Sequence, residues 1–201
     1  YLEYSYNGGS TWNRKSTGST QTIRSMYMWN RNLGLMSTLT SGIFKTTDGF
    51  TNYGVNWNAN GIIDTRVIKD SVVVVVGNNG AIYRSSDYGD NWKKMNSGTT
   101  EHLRGLHFAN DSIGMACGEK GTILYTDDGG LSWTKMTTNT TLTFWKVFMV
   151  NKYYAWAVGL SGSGDSTDIF KFGSEKFVAE KINHIKGTVV ADVYKNCKKD
   201  N

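Results

Sequence analysis

The sequence predicts an all-β fold: a β-propeller of four-stranded antiparallel blades. Three observations carry that expectation. A unit of about 40 residues recurs along the chain, as repeat architectures require. Each later copy pairs a glycine-flanked hairpin with an aspartate turn that ends in an aromatic residue. The 201 residues include 23 glycines and no proline, with 39% apolar and 13% aromatic residues, a balance that suits short strands joined by tight polar turns.

The aspartate turn appears four times, as "SYNGGSTW" (Ser5–Trp12), "TTDGFTNY" (Thr46–Tyr53), "SSDYGDNW" (Ser85–Trp92) and "TDDGGLSW" (Thr126–Trp133). The closing aromatics Trp12, Tyr53, Trp92 and Trp133 are spaced 41, 39 and 41 residues apart. Asp48, Asp87 and Asp128 are placed to accept backbone N–H groups of their own turn. Glycine after the Asp supplies the positive φ of a tight turn. The trailing Trp is expected to plug between neighbouring sheets. Two copies have drifted: Asn7 replaces Asp in the first, and Phe50 replaces glycine in the second. These residues have a structural role in this reading, with no group left for chemistry.

Upstream of the last three turns lie the hairpins "GLMSTLTSGIFK", "VVVVVGNNGAIYR" and "GMACGEKGTILY", and before those the apolar strands "IRSMYM", "IIDTRV" and "LRGLHF". Each copy therefore reads as four strands, A to D. A fifth copy begins with "FWKVFMVNKYYAWAVG" at Phe144, inserts "LSGSGDSTD" (Leu160–Asp168) between B and C, and has no aspartate turn. The expected blade segments are 1–16, 22–58, 62–98, 103–138 and 144–182, with a closing strand at 183–193 and a polar tail at 194–201. The propeller as a whole would then occupy 1–193. Because the chain opens at strand C and "NHIKGTVVADV" matches "EHLRGLHFAND", residues Ile185–Val190 are expected to join the sheet of Leu2–Ser5 and Thr11–Lys15 and close a five-bladed ring. The alternative is a piece of a six- or seven-bladed ring.

The unit "L-x-x-[VL]-x-F…G-x-A-x-G…G-x-I-x-x-[ST]-x-D-G-G-x-[ST]-W", seen most fully at Leu103–Trp133, resembles the Asp-box (BNR) repeat. In detail it is most similar to the photosystem II assembly and stability factor family and its non-photosynthetic relatives. That resemblance implies a propeller that binds proteins and is not an enzyme; the family usually has seven blades. Sialidases and xyloglucan-degrading glycosidases also carry Asp boxes. The proline-free chain lacks the Arg-Ile-Pro segment of the former, and 201 residues are too few for the two large propellers of the latter.

Other chemistry is sparse. His102, His107 and His184 show no metal-ligand spacing, so neither metal nor cofactor is expected. Cys117 falls in an apolar segment and reads as a buried thiol, while Cys197 lies in the polar tail. The net charge of +5 is scattered, without an arginine-rich run, so no nucleic-acid partner is expected. No apolar run reaches the roughly 18 residues of a membrane helix, so no membrane insertion is expected.

One column of the repeat stands out. Aligned A strands place Arg24, Ile63, Arg104, Trp145 and Lys186 together. In a propeller these begin the inner strands, on the face of the D–A and B–C loops and opposite the aspartate turns. Arg24, Arg104, Trp145 and Lys186 are the candidate partner-binding residues, suited to an acidic or otherwise anionic protein segment or to a sugar. The favoured function is a non-catalytic binding or scaffolding propeller in assembly or stabilisation of a larger complex. The alternatives are a structural component of a virion, appendage or cell-surface assembly, and a carbohydrate-binding propeller or degenerate glycosidase. An extracytoplasmic or virion-associated location is the expectation.

Overall fold

A computed structural model describes residues 2–15, 22–52, 54–160, 167–172 and 179–181. Among them the chain forms five antiparallel sheets. The first is a two-stranded hairpin of β1 (Leu2–Tyr4) and β2 (Asn13–Lys15). Blade I comes next with β3 (Ile23–Met28), β4 (Gly34–Thr38), β5 (Gly42–Thr46) and β6 (Gly54–Trp57). Blade II holds β7 (Ile62–Lys69), β8 (Val72–Gly77), β9 (Ile82–Ser85) and β10 (Lys93–Met95). Blade III holds β11 (Leu103–Phe108), β12 (Gly114–Gly118), β13 (Ile123–Thr126) and β14 (Thr134–Met136). Blade IV holds β15 (Thr143–Asn151), β16 (Tyr154–Leu160), β17 (Thr167–Phe172) and β18 (Ala179–Lys181). Each blade is a simple meander, so strands A to D of the repeat are neighbours in space in chain order.

The blades stack face to face, and the apolar alternation of strands A to C explains the order. Leu35 and Ile43 of blade I pack on Ile62, Val73 and Val75 of blade II. Val74, Val76 and Ile82 continue into Leu103, Leu106, Ala116 and Leu124 of blade III. Met115, Cys117 and Ile123 then meet Phe144, Val147, Met149 and Ala157 of blade IV. Successive residues of one strand thus serve opposite interfaces, as Val73/Val75 and Val74/Val76 show. The valine run of β8 is buried on both faces for this reason.

Backbone bonds separate two loop faces. The B–C turns are tied to the D–A loops, through Gly61 N–H to Leu39 O, Gly80 N–H to Glu101 O and Gly121 N–H to Leu142 O. The aspartate turns are tied to the A–B turns, through Gly49 N–H to Asn32 O, Tyr88 N–H to Ser71 O and Gly129 N–H to Ser112 O. The closing strand 183–193, its pairing through Ile185–Val190, the tail 194–201, His184 and Cys197 lie outside the described residues. So do residues 161–166 of the inserted B–C loop.

The four turns share one hydrogen-bond pattern. In blade II the Ser85 hydroxyl donates to Asp87 Oδ1 (2.7 Å), Gly89 N–H donates to Ser85 Oγ (2.9 Å), and Asn91 N–H donates to Asp87 Oδ1 (2.9 Å). Thr46 with Asp48 and Thr126 with Asp128 repeat it. Asn7 keeps it as well, its Oδ1 accepting from the Ser5 hydroxyl and from Thr11 N–H at 2.9 Å each. Phe50 holds the left-handed conformation of the missing glycine, with φ of 61°. The drifted copies changed residues and kept the turn.

The closing tryptophans behave less uniformly than the sequence predicts. Trp92 is partly buried and stacks on Trp57 of the preceding blade at 5.1 Å, its Nε1 without a partner among the described residues. Trp133 packs on the blade II–III core and donates from Nε1 to Gly130 O (3.2 Å). Trp12, expected to be buried, is 63% exposed. Trp92 gains its cover from Trp57 of the blade before it, and among the described residues nothing equivalent covers Trp12.

Candidate binding site on the face opposite the aspartate turns

The candidate column has a backbone signature. In every complete blade the A–B pairing skips one residue near the start of strand A, between Ile23 and Ser25, Ile62 and Asp64, Leu103 and Gly105, and Phe144 and Lys146. The skipped residues are Arg24, Ile63, Arg104 and Trp145. A β-bulge re-aims the side chain it carries, so the aligned column is a set of four bulge residues at the loop end of the inner strands.

Arg104 and Trp145 are brought together: the guanidinium lies 5.3 Å from the indole centroid, within cation–π range. Arg104 NH2 also donates to Glu119 of the neighbouring B–C turn, a pairing that the sequence reading did not include. Its Nε is buried with no hydrogen-bond partner among the described residues. Trp145 remains 45% exposed, and Arg24 is exposed on blade I. Lys186 lies outside the described residues.

The adjoining column holds what the sequence reading missed. One residue beyond each bulge stand Ser25, Asp64, Gly105 and Lys146. Asp64 is almost fully buried and bridges three inner strands. Its Oδ1 accepts from Thr65 N–H (2.9 Å) and Arg66 NH1 (3.0 Å); its Oδ2 accepts from Leu106 N–H (3.2 Å) and Lys146 Nζ (2.9 Å). A buried carboxylate is tolerated only when its acceptor sites are filled in this way. The alignment that found the bulge column also puts Asp64 and Lys146 in register, a signal available before any coordinates.

His107 continues the inner surface. Its Nδ1 accepts Met149 N–H (3.1 Å), and its ring lies 4.6 Å from that of Phe148. Burial, followed by the nearby Arg66 charge, holds its pKa below the usual histidine value, so it is neutral at pH 7. His102 is a loop fastener, its Nδ1 accepting Asn79 N–H at 2.9 Å. Burial pushes the Cys117 thiol far up, leaving no thiolate nucleophile there. Among the described residues no three His, Cys, Asp or Glu side chains converge as metal ligands, and no helix is long and apolar enough to cross a membrane.

No protein-family model matches the chain, and no curated protein matches it. Solved structures do. The chain is similar to YCF48 bound to a D1 peptide, with a TM-score of 0.61 at 16% identity, covering 85% of this chain and 55% of that one. The fold is that of a β-propeller. YCF48 from Cyanidioschyzon merolae gives a TM-score of 0.61 at 13% identity, over 89% of this chain and 62% of that one. The GH74 enzyme of Niastella koreensis gives 0.58 at 11% identity, over 79% and 30%. The chain thus spans about three fifths or less of each of these proteins.

Proposed function

We propose that this propeller is a non-catalytic protein-binding module acting in assembly or stabilisation of a larger complex. Its contact surface is the face of the D–A and B–C loops. The observation that carries this reading is the Arg104–Trp145 pair on adjacent bulges, a guanidinium braced by Glu119 beside a half-exposed indole. Such a pair suits a carboxylate-bearing peptide, with the ring packing its apolar part and the guanidinium its charge. Arg24 and Lys186 share the same column of the repeat alignment and would add positive charge to that face. Kinship with the Asp-box repeat, carried by the four aspartate turns, fits a scaffold whose turns are structural. Likeness to YCF48, one example of which is bound to a D1 peptide, supports a protein partner.

The test is a pull-down from the source organism using wild type and the triple variant Arg24→Ala, Arg104→Ala, Lys186→Ala. The variant should keep the wild-type melting temperature and lose the partner. Glu119→Gln, which frees Arg104 from its ion pair, should strengthen capture. Unchanged capture by both variants would remove the contact from this face.

A further inference from the structure

Blade III is tied to each of its neighbours by a histidine that accepts a backbone N–H. On one side His102, in the loop that leads into β11, takes Asn79 N–H from the B–C turn of blade II on its Nδ1, at 2.9 Å. On the other side His107 of β11 takes Met149 N–H on its Nδ1, at 3.1 Å, from β15, the inner edge strand of blade IV. An imidazole nitrogen accepts a hydrogen bond only while it carries no proton, so each tie needs the neutral ring with its proton on Nε2. Histidine is the side chain that changes charge in mildly acidic water, with an ordinary pKa of about 6.5. A second proton turns Nδ1 from acceptor to donor and sets it against the amide that it holds.

Other ties across these seams use acceptors of a different kind. Leu106 N–H is held from blade II by the carboxylate of Asp64, and Gly80 N–H is held by the Glu101 carbonyl. The charged groups at His107 are Asp64 and Arg66 of β7, with Lys146 of β15 on the second oxygen of that carboxylate. Strands β8 and β12 bring only apolar residues and the buried Cys117 thiol. Burial, and then the Arg66 charge, oppose a second proton on His107. Near His102 stand Glu101, its neighbour in the chain, and Glu119 and Lys120 of the blade III B–C turn, where Glu119 N–H donates to His102 O (2.9 Å). Those carboxylates already serve other cations, as Lys120–Glu101 (3.1 Å) and Arg104–Glu119. The turn at Asn78–Gly80 carries no charge.

We propose that His102 and His107 make blade III a pH-sensitive element: in mild acid both ties are given up, and the blade loosens between its two neighbours. At His107 the folded pKa lies below the unfolded one, so its tie is complete above about pH 6.5 and is lost as pH falls through the folded value. The apolar cores on both sides of blade III hold no titrating group apart from the Cys117 thiol, so the seams loosen without the sheet unfolding. Arg104 and Trp145 bridge the blade III–IV seam further up the same strands β11 and β15. On the contact surface proposed above, on which this consequence rests, partner capture weakens over the same range.

The experiment is amide hydrogen exchange read by NMR on the 201-residue protein at about pH 7.5 and about pH 5.5, each rate divided by its intrinsic value at that pH. Protection of Asn79 and Met149 should fall about fivefold or more, the scale of one lost hydrogen bond. Carboxylates titrate at lower pH, so Leu106, held by Asp64, is the internal control and should keep its protection. In the double variant His102→Asn, His107→Asn an amide oxygen stands near the place of each Nδ1 and does not titrate. Asn79 and Met149 should there be equally protected at both pH values. Equal protection in wild type at the two pH values overturns the inference, and so does a fall of the same size in the double variant. Wild type decides alone if the double variant does not fold, because Leu106 losing protection in step with Met149 would also overturn it. Partner capture should weaken at about pH 5.5 in wild type and hold in the double variant. Capture that depends on Arg104 and not on pH would overturn the link to the site. Capture that Arg104→Ala leaves unchanged at about pH 7.5 counts against the contact surface instead, and the exchange result stands.

Discussion

The two loop faces of this propeller are built from the same repeat and spend their polar groups differently. On the face of the aspartate turns the motif's own side chain is consumed locally, as Asp87 is by Ser85, Asn91 and the turn's own N–H groups. On the opposite face the bulge residues lie at the loop ends of the inner strands, where Arg104 pairs with Glu119 of its B–C turn and reaches an indole on the next blade. Local saturation yields a rigid frame, and the proposed place to bind is the exposed indole and guanidinium held on that frame. A repeat fold separates the two tasks because the turn motif and the bulge sit on opposite loop faces.

The sharpest way to break this contrast is to show that the turn face is dispensable. Trp133→Ala should lower stability by about 3 kcal/mol, the cost of removing a large aromatic from an interface, read from denaturant midpoints. Partner capture should change only as far as the fold does. Next in size is Asp64→Ala, which leaves Leu106 N–H and two cations without their acceptor. A loss of about 2 kcal/mol is expected, at the scale of a buried group left unpaired and reduced because both cations reach solvent.

Acid sharpens the same comparison. The N–H of Asn91, ahead of the other turn donors, depresses the Asp87 pKa to about 2 from 3.8, and Asp48 is lowered chiefly by Asn52 N–H. For Asp128 burial opposes ionisation, and the Ser132 hydroxyl and N–H outweigh it. A depressed carboxylate pKa contributes stability above the unfolded value, and that contribution is lost as pH falls through the folded one. The melting temperature should therefore drop between about pH 4 and pH 2, and the drop should shrink in Asp87→Asn. The first turn, which already carries Asn7, is the natural control for that substitution. The smallest effect belongs to Trp12→Ala, where 63% exposure predicts a loss under about 1 kcal/mol despite the same motif.

The blade architecture was legible because repetition multiplies weak signals. A single Asp-x-Gly turn says little, but constant spacing turned four of them into sheets, and the A strands into an inner wall. The exposure of Trp12 differed from the expectation for a physical reason: a repeat motif specifies a side chain's direction, while its cover comes from another blade, and among the described residues none covers Trp12. Glu119 as the partner of Arg104 was hidden because the two sit in different columns. Asp64 was missed differently. Its column was in view, yet a lone carboxylate among Ser25, Gly105 and Lys146 reveals its role only when three strands converge on it.

The division of labour between the faces is tested most directly by photo-crosslinking from two exposed aromatic or apolar positions. A photoreactive residue is placed at Trp145, 45% exposed on the mouth, or at Leu131, 56% exposed on an aspartate turn. Each protein is irradiated in extract of the source organism and the adducts are resolved by mass. The account predicts a discrete adduct from Trp145, lost in the Arg24→Ala, Arg104→Ala background, and none from Leu131. A discrete adduct from Leu131 with none from Trp145 would contradict it.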